Sequence, residues 1–215
     1  MTTPELATAA PVAGLPVGIA AWTTTRAAGS FGLASTEAAE HVFGRWTRLQ
    51  EELAALGVTR LAGAHQVHGA VVSNHGAGWH GWLRQHGVDG HVTTVQGTAL
   101  VVTVADCTPV YIAHPAGAVA ALHAGWRGTA ARIIEVGLDR LEALGFPAAE
   151  CHVHLGPSIC GRCYEVGPEV IDALSGFRPA GPTLVDVRAI LREQALARGV
   201  SAISTSESCT RCHND

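Results

Sequence analysis

The segment Ala118-Val119-Ala120-Ala121-Leu122-His123-Ala124-Gly125-Trp126-Arg127-Gly128-Thr129 runs from an uncharged apolar stretch into a Gly-flanked turn. From Thr129 to Leu144 the pattern changes period. Ala118 to His123 reads as a buried strand, because it is apolar, carries no charge and is followed by Gly. Thr129 to Leu144 reads as a helix: Ile133, Ile134, Leu138, Leu141 and Leu144 form one apolar stripe, and Gly145 followed by Pro147 stops it. A strand feeding a helix through a short turn predicts a mixed α/β (α+β) fold.

The flanking sequence extends this pattern in both directions. Leu61 to Gln66, Ala70 to Ser73, Ala99 to Val104, Pro109 to Ala113 and Cys151 to Leu155 are predicted strands, as is Pro16 to Thr23. Ser35 to Leu56 is a predicted helix that stops at Gly57, with Leu49, Leu53 and Leu56 on one side and Glu51 and Glu52 on the other. A short helix is expected over Ala189 to Arg198. The Gly-, His- and Trp-rich run from His75 to Gly87 has no clean period and reads as a surface loop. Without repeats, low-complexity tracts or a convincing linker, residues 1–215 are expected to form a single domain.

Composition narrows the chemistry. The 14 basic residues are all Arg, so mechanisms built on a phosphate-loop Lys, a Lys Schiff base or a lysine base are excluded. A net charge of −4 without blocks of like charge leaves no footprint for nucleic acid or an anionic membrane. The N-terminal stretch lacks a basic residue before Arg26, and apolar runs fall short of a membrane span, so a cytoplasmic protein with reduced thiols is expected. Against so few charges, 12 His and 6 Cys point to metal binding or thiol chemistry.

Thr103-Val104-Ala105-Asp106-Cys107-Thr108-Pro109 interrupts an apolar strand with an acid and a thiol, which places both at a strand end. His123 stands at the end of the next strand. In His65-Gln66-Val67-His68-Gly69, the Gly after His68 fits an exposed loop end, so His68 is the better candidate to join them. Two His and one Cys make a three-ligand set of the kind that leaves a fourth zinc position open. Asp106 either orients a ligand and moves a proton or simply forms the turn. Likewise Gly125 and Gly128 either shape the turn or expose backbone N–H groups beside Arg127 to an anion.

The strings QVHG at Gln66 to Gly69, ADCTPV at Ala105 to Val110, HAGWRG at His123 to Gly128, and GPSIC with CYEVG at Gly156 to Gly167 resemble one bacterial family. It is the laccase-domain, or polyphenol oxidoreductase, family, whose members are also called purine nucleoside phosphorylases and peptidoglycan editing factors. Asp89-Gly90-His91-Val92-Thr93 resembles a fifth motif, and the likeness runs from about Thr23 to Cys209. It implies a single-domain αββα-type sandwich of mixed β-sheets layered with helices. It also implies zinc, with copper possible, held by His68, Cys107 and His123. The implied partners are a purine nucleoside and phosphate, acting on a monomer. Phosphorolysis of adenosine, inosine, guanosine or methylthioadenosine is the implied reaction, with adenosine deaminase activity beside it. Cys107, Asp106 and Arg127 are then the catalytic candidates, and Arg26, Arg127 and Gly128 the substrate-binding ones.

Two features depart from the family pattern. Thr25-Arg26-Ala27-Ala28-Gly29-Ser30 only partly resembles its Arg-Gly-Gly turn. The sequence also ends at Asp215, where members usually continue into an aromatic, Ser- and Arg-rich tail, so substrate contacts from such a tail are not expected of these residues.

Other readings follow from the same residues. A hydrolase editing a peptidoglycan precursor would use Cys107 as nucleophile with His123 or His68 as base. A copper-dependent polyphenol oxidase would need several H-x-H pairs, of which His152-Val153-His154 is the single example. The zinc-deaminase signatures H-x-E and P-C-x-x-C are absent. Cys160-Gly161-Arg162-Cys163 and Cys209-Thr210-Arg211-Cys212 could make a structural zinc site, but the 45 residues between them exceed common finger spacings, and free thiols are the expectation.

Overall fold

The computed structural model describes residues 12–33 and 35–213. Residues 1–11, 34, 214 and 215, which the single-domain reading includes, lie outside them. In chain order the helices are α1 (Ala39–Ala55), α2 (Trp126–Ala130), α3 (Ile133–Ala143), α4 (Pro168–Ser175) and α5 (Val187–Ala197). The strands are β1 (Arg60–His65), β2 (Val72–His75), β3 (Gly81–His86), β4 (Gly90–Thr93), β5 (Thr98–Leu100) and β6 (Thr108–Ala113). They continue with β7 (Val119–Ala124), β8 (His152–Leu155), β9 (Glu165–Val166), β10 (Thr183–Leu184) and β11 (Ala202–Thr205).

A six-stranded sheet of order β11-β8-β6-β7-β4-β2 forms the main layer. It is mixed: β6 and β7 pair antiparallel, whereas β2 with β4 and β8 with β11 are parallel. Helices α3 and α5 cover it through Ile133, Ile134, Leu138, Leu141 and Leu191, all buried with Val110, Ile112, Leu122 and Leu155. Side chains that leave water here contribute roughly 1.5–3 kcal/mol each, so this cluster dominates the fold's stability. The second layer is the parallel three-stranded sheet β3-β1-β5, against which α1 packs Val42, Trp46, Leu49 and Leu53 onto Leu61 and Trp82. Trp46 and Trp82 stack with ring centroids 4.7 Å apart. A two-stranded ribbon, β9 with β10, completes the sheets. Sheets layered with helices in a mixed α/β fold match the expectation from sequence.

Four local expectations need correction. Pro16 to Thr23 is not a strand: Val17 and Gly18 form a turn, and Gly18 takes φ of 88°, a left-handed conformation that interrupts extended pairing. The expected helix over Thr129 to Leu144 is two helices, because Arg132 sits at φ 60° between α2 and α3. Its side chain lies off the apolar stripe, so periodicity carries no sign of the break. The run from His75 to Gly87 holds β3, which pairs with β1 from Arg60↔Gly81 to His65↔His86; its strand character comes from that partner, not from its own composition. Finally, Ala99 to Val104 supplies only the short β5, and the chain leaves the sheet before reaching Asp106.

Candidate functional site

The register between β4 and β7 builds the site. Gly90 pairs with Leu122, so Asp89 and His123 are the next residues along, and the His123 N–H donates to the Asp89 carbonyl at 2.7 Å. Side chains alternate along β7. Leu122 points to α3, where a Cβ on Gly137 would meet it at 2.9 Å, and His123 therefore faces the other way. The fully buried Asp89 carboxylate accepts from His123 Nδ1 at 2.9 Å.

The same carboxylate organises the His68 loop. It accepts backbone N–H groups from Val67 at 3.2 Å, His68 at 2.8 Å and Gly69 at 2.8 Å. This explains how His68, with φ of 62°, keeps a left-handed backbone that costs most residues energy. His68 and His123 meet edge to face, with ring centroids 4.7 Å apart.

Cys107 enters from the chain just ahead of β6, and Thr108 pairs with Ala124. Ligand atoms of His68, Cys107 and His123 lie within 4.8 Å of one another, so all three predicted metal-binding residues converge. Gly125 permits the approach: a Cβ there would stand 2.8 Å from Cys107 Sγ and 3.4 Å from the His68 ring. Gly128 does the same behind the site, buried with a would-be Cβ 2.8 Å from the Gly69 carbonyl oxygen.

Electrostatics fit ligand duty. Burial pushes the Asp89 carboxyl up, but the bonds from His123 and from the Gly69, Val67 and His68 amides outweigh it and hold it below its ordinary value. A carboxylate is acceptor-only, so His123 donates Nδ1–H to it and its Nε2 carries the lone pair. Burial lowers the His123 pKa, against the raising effect of Asp89, and keeps the ring neutral. Burial, then the charges of Asp106 and Asp89, push the Cys107 thiol up to about 11. A bare thiolate is thus disfavoured, and a cation would reverse that balance.

The remaining predicted residues are held by contacts of their own. Arg127 is exposed on α2, its guanidinium 4.2 Å from the Trp126 ring and without a hydrogen-bond or ion-pair partner among the described residues. Asp106 is exposed, and its Oδ1 accepts from Thr210 Oγ1 at 2.6 Å. Arg26 Nη2 donates to the Thr210 carbonyl at 2.8 Å. Arg26 and Asp106 are therefore brought to one residue of the C-terminal segment. Tyr164 lies within electrostatic reach of Cys107, Asp106 and Arg127, and burial raises its pKa.

Sequence reasoning missed Asp89 and Thr210 as site residues. An acid directly before a fully buried strand was the available signal for Asp89; nothing local marked Thr210. His152 and His154 do not gather a copper-type cluster: His154 Nδ1 is paired with Ser204 Oγ at 2.8 Å. Among the described residues, Cys, His and carboxylate side chains converge in two groups, this trio and Cys160, Cys163, Cys209 and Cys212.

Residues 22–215 match the family described as multi-copper polyphenol oxidoreductase laccase. The chain belongs to that family. This laccase-family chain is 38% identical over 154 residues to the purine nucleoside phosphorylase ORF3 of Streptomyces griseus, covering 68% of itself and 63% of that relative. It is also 38% identical over 142 residues to adenosine deaminase RL5 from an unknown prokaryotic organism, covering 60% and 54%. The chain thus spans somewhat over half the length of these curated relatives. Its fold is shared with YlmD from Geobacillus stearothermophilus, with a TM-score of 0.77 and 32% identity over 85% of this chain and 75% of that one. No helix among the described residues is long and apolar enough to cross a membrane.

Proposed function

We propose that the protein is a purine nucleoside phosphorylase that also deaminates adenosine, at a zinc centre held by His68, Cys107 and His123. The convergence of these three side chains around Asp89 is the observation that carries the reading. Two imidazoles and a thiolate suit zinc, and a three-residue set leaves a position for substrate or water. Bound there, zinc supplies Lewis acidity that activates water or a substrate atom at neutral pH. Relatives named purine nucleoside phosphorylase and adenosine deaminase support this pair of activities.

The protein's own groups have separable tasks. Asp89 holds the His123 tautomer and fixes the His68 loop, so the ligand atoms are positioned before substrate arrives. Arg127, exposed on α2 just after the turn that follows His123, and without a hydrogen-bond or ion-pair partner among the described residues, binds phosphate and neutralises it as a phosphate oxygen bonds to the sugar's anomeric carbon. The glycosidic bond to the purine nitrogen breaks in the same reaction, and the base leaves with a proton. Arg26 adds positive charge while tied to Thr210, and Gly128 lets the Arg127 turn close against the His68 loop. In deamination, water adds to the purine carbon bearing the amino group. Asp106, held on one oxygen by Thr210, keeps its other oxygen for the proton passed to departing ammonia. Cys107 as a free nucleophile is opposed by the burial and negative neighbours that keep it a thiol.

The test is chromatographic: purified protein with adenosine, with and without phosphate. Adenine formed only with phosphate, and inosine formed without it, are expected. No product in either case overturns the reading.

A further inference from the structure

A second group of sulfurs lies apart from the trio and shares no residue with it. Cys160, Cys163, Cys209 and Cys212 bring their sulfurs within 4.8 Å of one another, although 45 residues separate the two C-x-x-C pairs. We propose that these four cysteines form a structural zinc site that fastens the C-terminal segment to the 160–163 turn.

The geometry favours a metal over the alternatives. Tetrahedral zinc with Zn–S bonds of about 2.3 Å sets its sulfurs roughly 3.8 Å apart. Cys160 and Cys212 stand at 4.0 Å, near that spacing and far from the ~2.05 Å of a disulfide. All four are free cysteines. Thiols are weak hydrogen-bond donors and acceptors, so mutual contact alone offers little reason for four to converge.

The backbone prepares the cluster from both sides. At the first pair, the Cys163 and Tyr164 N–H groups turn back to the Cys160 carbonyl at 2.9 and 3.1 Å. Across the pairs, the Cys160 N–H donates to Cys209 Sγ at 3.3 Å, a contact that favours a thiolate. Ser158 and Cys209 form a parallel bridge, and Arg211 Nη1 reaches the Cys163 carbonyl at 2.9 Å. Four thiolates complete a closed, structural type of zinc site, with no position left for substrate. The segment so fastened contains Thr210, which meets both Asp106 and Arg26.

Zinc content measured by plasma mass spectrometry tests this on the 215-residue chain, on Cys107→Ala and on the double variant Cys163→Ser/Cys212→Ser. The wild type should hold about two zinc ions, and each variant about one. If the double variant keeps the wild-type content, or if Cys107→Ala holds none, the inference fails. Should the double variant not fold, the wild-type chain loaded with cobalt(II) decides instead. Intense thiolate-to-cobalt charge transfer of a four-thiolate site supports the inference, and a spectrum accounted for by one thiolate overturns it. Iron in place of zinc, or a disulfide among these cysteines by mass after alkylation, also overturns it.

Discussion

Asp89 Oδ1 accepts from His123 Nδ1 at 2.9 Å while also receiving the His68 backbone N–H at 2.8 Å, so one buried carboxylate oxygen aligns both histidines of the candidate centre. This relationship makes Asp89 the residue whose loss reports most directly on how the centre is held. Asp89→Asn keeps the shape but removes the charge and one acceptor. Zinc affinity at the His/Cys/His centre should fall by about 10–100-fold, read by competition with a chelator. Unchanged affinity would mean that the carboxylate only supports the loop.

Gly125→Ala tests the close approach of the turn to Cys107. A Cβ at this position would stand 2.8 Å from Cys107 Sγ, so the thiol must move away from His68 and His123. Metal binding at the trio should weaken while the far-ultraviolet circular dichroism spectrum stays that of the wild type. A variant that binds metal as the wild type does would contradict this packing.

Arg127→Ala separates the anion from the base. Because Arg127 is exposed and, among the described residues, has only the Trp126 ring as a partner and no hydrogen bond or ion pair, its removal should leave thermal stability nearly unchanged. The KM for phosphate should rise more than the KM for nucleoside. Equal increases for both substrates would count against a phosphate role.

Gly137→Ala sets two opposing effects against each other. Replacing Gly inside α3 gains up to about 1 kcal/mol of helix propensity. The new Cβ, however, would lie 2.9 Å from Leu122 Cδ1 in a fully buried cluster, and overpacking costs roughly 1–3 kcal/mol. A lower urea midpoint is expected. A raised midpoint would show that Leu122 has room to move.

Acid should destabilise the fold before the carboxylates titrate. Burial, then the neighbouring His75, lowers the His91 pKa to about 3, whereas an unfolded histidine titrates near 6.5. His75, 2.9 Å from it, is also lowered by burial. Below pH of about 6.5 the unfolded chain takes up protons that the folded chain refuses, so stability falls as pH drops through this window. His91 alone contributes up to about 1.4 kcal/mol per pH unit, and Asp89, also held low, adds to the loss at still lower pH. Urea midpoints measured between pH about 7.5 and about 4.5 should decline steadily; a flat profile would contradict burial of the uncharged pair.

How much was legible before folding depends on whether a feature is local. The apolar runs that became β6 and β7, the helix over Val187–Ala197, and the motif residues His68, Cys107 and His123 are carried by short strings whose composition and spacing act within one element. The three-stranded sheet was only partly visible, because β3 owes its strand state to β1 rather than to alternation of its own.

By itself, the sequence determined the mixed α/β class, the absence of lysine chemistry and the donor types available to a metal. These follow from residue identity and short-range period. Only the tertiary structure decided that Asp89 would lie beside His123, that Thr210 would meet Arg26 and Asp106, and that two cysteine pairs separated by 45 residues would share one point in space. Those placements depend on strand register and on where a returning chain docks, and both are set by burial of the whole core rather than by any local pattern.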